Sequence, residues 1–276
     1  MSDVKISTAD IQKLREMTGA GMMDCKKALT EAGGDFQEAI DILRKKGIAK
    51  AAKREDREAR EGVVIALSSP DQRRGIIISL QCETDFVARN EGYISIARKM
   101  AQIALDAFPA TLEELLELPY ENGVSIREKV GEQNGVIGEK IELGRYERLE
   151  GACVVTYNHS NNKRSVVLAL NKGGFEEAGR NLAMQVAALN PVAVGRADVD
   201  PKIVEKEIEI GKELARNEGK PEAMLEKIAM GRLNKFFEDN TLLGQKYVKN
   251  QEQTVEQYLK SLDKELTVTG FKLVAL

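Results

Sequence analysis

Cys82, Glu83 and Asp85 stand within one short stretch of the chain, and a thiol beside two carboxylates is the cluster whose residue types come nearest to covalent or acid–base chemistry. It lacks what that chemistry needs. A cysteine nucleophile is activated by a neighbouring base, most often histidine, and the one histidine, His159, lies far along the chain. Carboxylates adjacent in sequence do not by themselves make an acid–base pair, because the two groups must flank a reacting atom. The three cysteines, Cys25, Cys82 and Cys153, are far apart and form no Cys-x-x-Cys pair, so neither a zinc site nor a disulfide framework is supported. Buried free thiols are the expectation. Gly135-Val136-Ile137-Gly138 precedes Lys140, but no Ser or Thr follows that lysine at the spacing of a phosphate loop. The residues therefore predict a protein that is not an enzyme, with no cofactor, no metal and no nucleotide fingerprint of its own.

What the same stretch does carry is a bulky apolar residue, Phe86, beside an acid. The apolar run Gly75-Ile76-Ile77-Ile78-Ser79-Leu80 reads as a buried strand and Glu91 to Phe108 as a helix, so Thr84 to Asn90 must connect them. Two arrangements satisfy those residues. In one, Phe86 folds under the connection and Asp85 caps the helix, the commoner fate of an aromatic. In the other, Phe86 is an exposed wedge on a short, rigid connector presented to a partner.

The elements around this connector follow from period and punctuation. Ser7 or Thr8 caps a first helix carrying Ile11, Leu14 and Arg15. Gly19-Ala20-Gly21 breaks it, and Met22 to Ala32 is a second helix. Met22 and Met23 are adjacent, so at least one is exposed. Asp35 and Glu38 open a third helix in the manner of a capping box, and Gly47 is expected to stop it. From Arg44 to Glu61 the chain turns to Ala, Lys, Arg and Glu, which reads as a solvated helical linker.

Val63 to Leu67, a turn at Ser69-Pro70-Asp71, and Gly75 to Gln81 form a hairpin. Thr111 to Leu118 and Ser125 to Val136 are further helices. A second strand–strand–helix unit then runs through Gly151 to Tyr157, Ser165 to Leu170 and Glu176 to Leu189, with Gly173-Gly174 where the first unit has Thr84-Asp85-Phe86. Pro201 to Asn217 and Pro221 to Glu238 make an antiparallel helical hairpin, with Ile203, Ile208, Ile210 and Leu214 as the apolar residues of its first helix. A helix, Val255 to Leu262, and a strand, Leu266 to Val274, end the chain.

The expected class is α+β: a three-helix bundle and charged linker at 1–56, a core N-subdomain at 57–140, and a core C-subdomain at 141–276 with a helical hairpin inserted at 200–238. Hydrophobic residues make up 42% and charged residues 31% of 276, which suits a globular chain with solvated helices. A net charge of −3 argues against nucleic acid as the main ligand. No apolar run approaches the ~18 residues of a membrane span. Met1-Ser2-Asp3-Val4-Lys5 has no apolar secretory core, so a cytoplasmic protein is expected.

Thr84-Asp85-Phe86-Val87-Ala88-Arg89-Asn90 resembles the central motif of the bacterial elongation factor Ts family, and Leu14-Arg15-Glu16-Met17-Thr18-Gly19-Ala20-Gly21-Met22-Met23-Asp24-Cys25-Lys26-Lys27-Ala28-Leu29 resembles that family's opening motif. The likeness in layout continues to near the C-terminus, where longer family members carry a further tail. The resemblance implies a nucleotide exchange factor for the GTPase elongation factor Tu, and a ubiquitin-associated-type fold for the bundle. It implies that Thr84, Asp85, Phe86 and Val87 displace Mg²⁺ from the partner. It also implies that Arg15, Met22, Met23 and Lys26 contact the partner's nucleotide domain, and that His159, in a Tyr157-x-His159 pattern, faces the partner elsewhere. The helical hairpin is associated in the family with dimerisation, so a homodimer or a 2:2 complex is an expectation. The alternative is a ribosome-associated, chaperone-like protein using the bundle and the basic linker.

Overall fold

The structure is a computed structural model that describes residues 6–276 other than 53 and 55, and the side chains of residues 48–52 are outside that description. The Met1 to Lys5 stretch considered above lies outside the described residues. Three helices open the chain: α1 (Thr8–Thr18), α2 (Met22–Glu31) and α3 (Phe36–Ala52). Ser7 and Asp10 form a reciprocal capping box on α1, and Asp35 accepts the Glu38 N–H at 2.8 Å at the start of α3. Leu14, Cys25, Ala28, Leu29 and Ala39 fill the core of this bundle.

Gly47 does not stop the third helix. It is buried in the middle of α3, which runs on to Ala52. The reason is a helix crossing: α7 (Ile126–Ile137) passes so close that a Cβ on Gly47 would sit 2.9 Å from the Gly131 carbonyl oxygen, and one on Gly135 would sit 3.0 Å from the Gly47 Cα. Here glycine supplies close backbone approach rather than a helix end. Arg44 pairs with Glu132 at 3.0 Å beside the crossing. The charged segment is helical only as far as Ala52, the described residues from Arg54 to Arg60 being turn and irregular chain, and at Arg44 and Gly47 it is docked rather than solvated.

Beyond it come β1 (Glu61–Ser68), β2 (Arg74–Cys82), a one-turn helix α4 (Asp85–Ala88), α5 (Glu91–Ala107), α6 (Leu112–Glu117), the short strands β3 (Pro119–Glu121) and β4 (Val124–Ser125), α7, and β5 (Glu142–Glu150). The second unit is β6 (Cys153–Asn158), β7 (Arg164–Leu170) and α8 (Glu176–Leu189). A 3-10 turn (Arg196–Asp198), α9 (Pro201–Asn217), α10 (Glu222–Asn240), β8 (Lys246–Tyr247), β9 (Asn250–Thr254), α11 (Val255–Leu262) and β10 (Val268–Ala275) complete the chain.

Two antiparallel three-stranded sheets, ordered β1-β2-β5 and β10-β7-β6, make the α+β core. Each unit is a hairpin, a helix, and a third strand that returns after a helical excursion to pair with the hairpin's second strand. The third strands, β5 and β10, are the elements that close each unit. Alternation along the strands sends side chains to two faces. Ile76, Ile78 and Leu80 join Tyr93, Ala97, Met100 and Ala104 of α5, while Ile77 points the other way. Val166, Leu168 and Leu170 likewise pack on Leu182 and Val186 of α8, while Val167 and Ala169 meet Val64, Ala66 and Ile77. The result is four layers, helix–sheet–sheet–helix, with small residues between the sheets. Gly75 is required there, since a Cβ would stand 2.5 Å from Val167 Cγ2 and 2.7 Å from Val154 Cγ1.

The helical hairpin packs through small residues. Its seam is Gly211 and Ala215 of α9 against Leu225 and Ala229 of α10, with a Gly211 Cβ only 3.2 Å from the Ala229 Cβ. Ile210 and Leu214, two of the apolar residues named for this helix, are 38% and 44% exposed. Ile203 and Ile208 pack at the hairpin's base against a cluster holding Val199, Leu233 and Phe237.

Candidate functional site: an exposed phenylalanine on a braced turn

The connection from β2 to α5 folds as one helical turn with a cap at each end. Thr84 is extended (φ −123°, ψ 152°) and caps α4, its Oγ1 facing the Val87 N–H at a long 3.5 Å. Asn90 caps α5, its Oδ1 accepting from the Gly92 and Tyr93 N–H groups at 2.9 and 3.2 Å. Asp85 is therefore not the cap. Its carboxylate pairs with Arg89 one turn on, at 2.9 Å.

A single turn has an inside and an outside. Ala88 and Val87 face in and join the core under α5. Phe86 faces out and is 84% exposed. Leaving a phenylalanine in water forgoes about 1.5–3 kcal/mol of burial. The arrangement with Phe86 folded under the connection is not the one adopted. The second unit adopts it instead: Phe175, at the equivalent strand-to-helix connection before α8, is half-buried and packs into its own core. The connection without the extra turn packs its phenylalanine partly against the core, and the one with the turn displays it.

Covalent chemistry finds no support. Cys82 is buried behind the turn and its thiol donates to the Thr84 carbonyl at 3.2 Å. Burial pushes the pKa of that thiol up to about 11, so it stays protonated at neutral pH. Burial raises Tyr93 beside it as well. Cys25 and Cys153 are likewise buried free thiols raised by burial. Among the described residues no group of acidic, histidine and cysteine side chains could hold a metal ion. No described helix is long and apolar enough to cross a membrane.

The remaining expected contact residues lie on two other elements. Arg15, Met22, Met23 and Lys26 are exposed on the bundle, with Met22 41% and Met23 64% accessible. Met17, missed from the sequence, is 57% exposed at the end of α1, beside the same glycine turn. Its spacing from Leu14 puts it on the side of α1 that faces the core, so the sequence carried no signal of its exposure. His159 is exposed at the tip of the β6–β7 hairpin, where its Nδ1 lies 2.9 Å from the Tyr157 hydroxyl. That tip is built against β1. Asn158 bonds both the N–H and the C=O of Ala66 through its side-chain amide, at 2.8 and 2.9 Å.

Bracing residues were also missed. Glu139 Oε2 accepts the N–H groups of Glu83 and Thr84, and its Oε1 accepts the Thr84 hydroxyl. Glu83 accepts from the Lys140 N–H and from Arg57. These partners are distant in sequence, so nothing local announces them.

A family model described as Elongation factor TS matches residues 83–276, from the start of this turn to the end of the chain. Curated relatives cover the bundle as well. The chain is 52% identical to the elongation factor Ts of Christiangramia forsetii over 99% of each chain. It is 52% identical to that of Flavobacterium psychrophilum over 98% of each, and 44% identical to that of Thermobifida fusca over 91% of each.

Proposed function

The chain belongs to the elongation factor Ts family, and from that premise we propose that it is a guanine nucleotide exchange factor for the GTPase elongation factor Tu, acting in translation elongation in the cytoplasm without catalysing a chemical step of its own. The observation that carries the reading is Phe86: 84% exposed, on a turn capped by Thr84 and braced from behind.

Exchange by such a protein is competitive coupling. A factor that binds the empty GTPase well and the loaded GTPase poorly must weaken nucleotide binding by the same factor. Phe86, with Asp85 beside it, would enter the partner near its Mg²⁺, while Thr84 and the inward-facing Val87 hold the turn. Loss of that Mg²⁺ removes the main charge offsetting the nucleotide phosphates. Arg15, Met22, Met23 and Lys26 would hold the nucleotide domain, methionine suiting an adaptable contact. His159 would meet the partner away from that domain. The bundle would adopt a ubiquitin-associated-type fold, and the chain would divide into 1–56, 57–140 and 141–276, with β5 at the start of the last division completing the sheet of the second. The test is release of labelled GDP from the GTPase. Strong acceleration by the chain is expected, and release no faster than in buffer overturns the reading.

The ribosome-associated alternative used the bundle and the basic linker, and the linker's part in it needs basic side chains free to meet RNA. Arg44, Arg54 and Arg57 are engaged within the protein instead, by Glu132, by the Asn134 and Glu139 carbonyls, and by Glu83. That weighs against it.

The division of labour between turn and bundle has measurable consequences. Residues 57–276 alone are expected to retain the two-sheet core and to exchange at least tenfold more slowly at limiting concentration. A tenfold weaker affinity needs the loss of only about 1.4 kcal/mol of docking energy, and the bundle carries four of the expected docking side chains. Raising the concentration should recover most of the rate, short of what Arg54, absent from the fragment, contributes by holding the Asn134 and Glu139 carbonyls. Undiminished exchange at limiting concentration would remove the bundle from the docking surface. The helical hairpin, by contrast, displays Ile210, Leu214, Met224 and Met230 far from the turn in sequence. Replacing residues 201–238 by a short turn is expected to keep most exchange activity and to abolish any dimer seen by light scattering. A folded but inactive product would place the hairpin on the exchange surface.

A further inference from the structure

The Phe86 turn begins with two consecutive backbone N–H groups, those of Glu83 and Thr84, just past the end of β2. Both point at one carboxylate oxygen. Glu139 Oε2 accepts them at 3.0 and 3.1 Å, and Glu139 Oε1 accepts the Thr84 hydroxyl at 2.7 Å. The brace is reciprocal. Glu83 Oε1 accepts the Lys140 N–H at 2.6 Å and the Arg57 guanidinium at 3.2 Å. The Lys140 N–H, and after it Arg57, hold the Glu83 carboxyl below the usual carboxylate range. Each acid therefore bonds the backbone beside the other.

Glu139 is itself fixed on both sides. It follows Gly138, which ends α7, and precedes β5, which pairs with β2 through Glu142 and Gln81. Asn134, buried in the last turns of α7, ties that helix to Ile141 by bonds to its N–H and C=O at 3.0 and 2.8 Å. Arg54 donates to the carbonyls of Asn134 and Glu139 at 2.5 and 3.3 Å. The carboxylate is thus anchored to α7, to the core sheet and to the segment leading from the bundle. It reaches the turn by three hydrogen bonds, each strengthened by its charge.

We infer that Glu139 is the positioning residue that fixes the attitude of the Phe86 turn, so that the phenylalanine is presented in one orientation rather than many. The inference rests on the exchange reading above and assigns it a second residue, one that never touches the partner. Pre-ordering a presented side chain lowers the cost of placing it, and a misplacement of about 1 Å is enough to cost orders of magnitude in a positioned step. Docking through the bundle does not depend on the turn. The effect belongs in the maximal rate and not in the concentration needed to reach half of it.

The experiment compares Glu139→Ala, Glu139→Gln, Phe86→Ala and the double variant Phe86→Ala/Glu139→Ala in full-length protein. The readout is GDP release at saturating and subsaturating factor. Glu139→Ala is expected to lower the maximal rate about tenfold, the scale of losing a set of charge-assisted bonds, and to move the half-saturating concentration by no more than about twofold. Glu139→Gln should retain most of the rate, because the amide oxygen can accept both N–H groups and the amide nitrogen can donate to the Thr84 hydroxyl. In the Phe86→Ala background the Glu139 substitution should add nothing. An unchanged maximal rate, an additive loss in the double variant, or a glutamine as damaging as alanine would each overturn the inference. Should Glu139→Ala fail to fold, amide exchange in the unmodified protein decides: the Glu83 and Thr84 amides are expected to be protected, and free exchange overturns the brace. That measurement needs no partner, so a failure of the exchange reading and a failure of the brace are told apart.

Discussion

Phe86→Ala is expected to leave the melting temperature nearly unchanged while slowing GDP release from the partner GTPase roughly 30-fold, the equivalent of about 2 kcal/mol at an interface anchor. Both halves come from the same geometry. A core phenylalanine truncated to alanine costs about 3–5 kcal/mol, but Phe86 is 84% exposed and fills no cavity in this chain. The turn beneath it is held by Thr84, Val87, Ala88 and Asn90, none of which the substitution touches. Binding through the bundle should persist, so the variant is expected to occupy the GTPase without emptying it. Excess Mg²⁺ should slow the unmodified factor in the same direction. A melting curve and stopped-flow release of labelled GDP are the measurements. A melting temperature lowered by many degrees would mean that Phe86 packs in solution, and normal release would remove it from the mechanism.

Ile77→Ala is expected to do the reverse, costing about 3–4 kcal/mol of stability with normal exchange per folded molecule. Ile77 is fully buried, and its neighbours across the gap are Val154, Val167 and Ala169 of the other sheet. Most of that interface is small, and at Gly75 the backbone already approaches the facing valines as closely as sterics allow. The sheets cannot move together to fill the space left by the missing carbons, so the cavity term adds to the transfer term. For a chain of this size each kcal/mol moves the melting temperature by about 2–4 °C, so a fall on the order of 10 °C is anticipated. In denaturant the midpoint should drop with an unchanged slope. A loss under about 1 kcal/mol would contradict a tightly packed two-sheet interface.

The two variants separate the ways in which sequence and tertiary structure speak. Elements defined by nearest neighbours were legible. The capping residues Ser7, Asp35 and Asp200 act on amides within a few residues, and helical period 3.6 and strand period 2 are local. So α8, α9 and α11 run over the spans their periods predict, and both β-hairpins stand where their turns place them. Where the same local signals had a non-local cause, they misled. Gly47 looks like a helix stop because glycine often is one, yet it sits mid-helix because α7 crosses there. Ile210 and Leu214 have the period of a packing face, but the seam of the hairpin is Gly211 and Ala215, since helices that approach closely do so through small residues. The strand β5, rich in charge and only partly buried, carries too weak an alternation to announce itself.

By itself the sequence determined that the chain is α+β and that Phe86 sits on a strand-to-helix connection. It left open which way that phenylalanine faces. Tertiary structure decided it, along with the pairing of β5 against β2, the stacking of the two sheets, and the reach of Glu139 to the amides of Glu83 and Thr84 across more than fifty residues of chain. The physical reason is one of range. Caps and periodicity are set by atoms a few bonds away, whereas burial, strand pairing and the partner of a carboxylate depend on which segments the whole fold brings together.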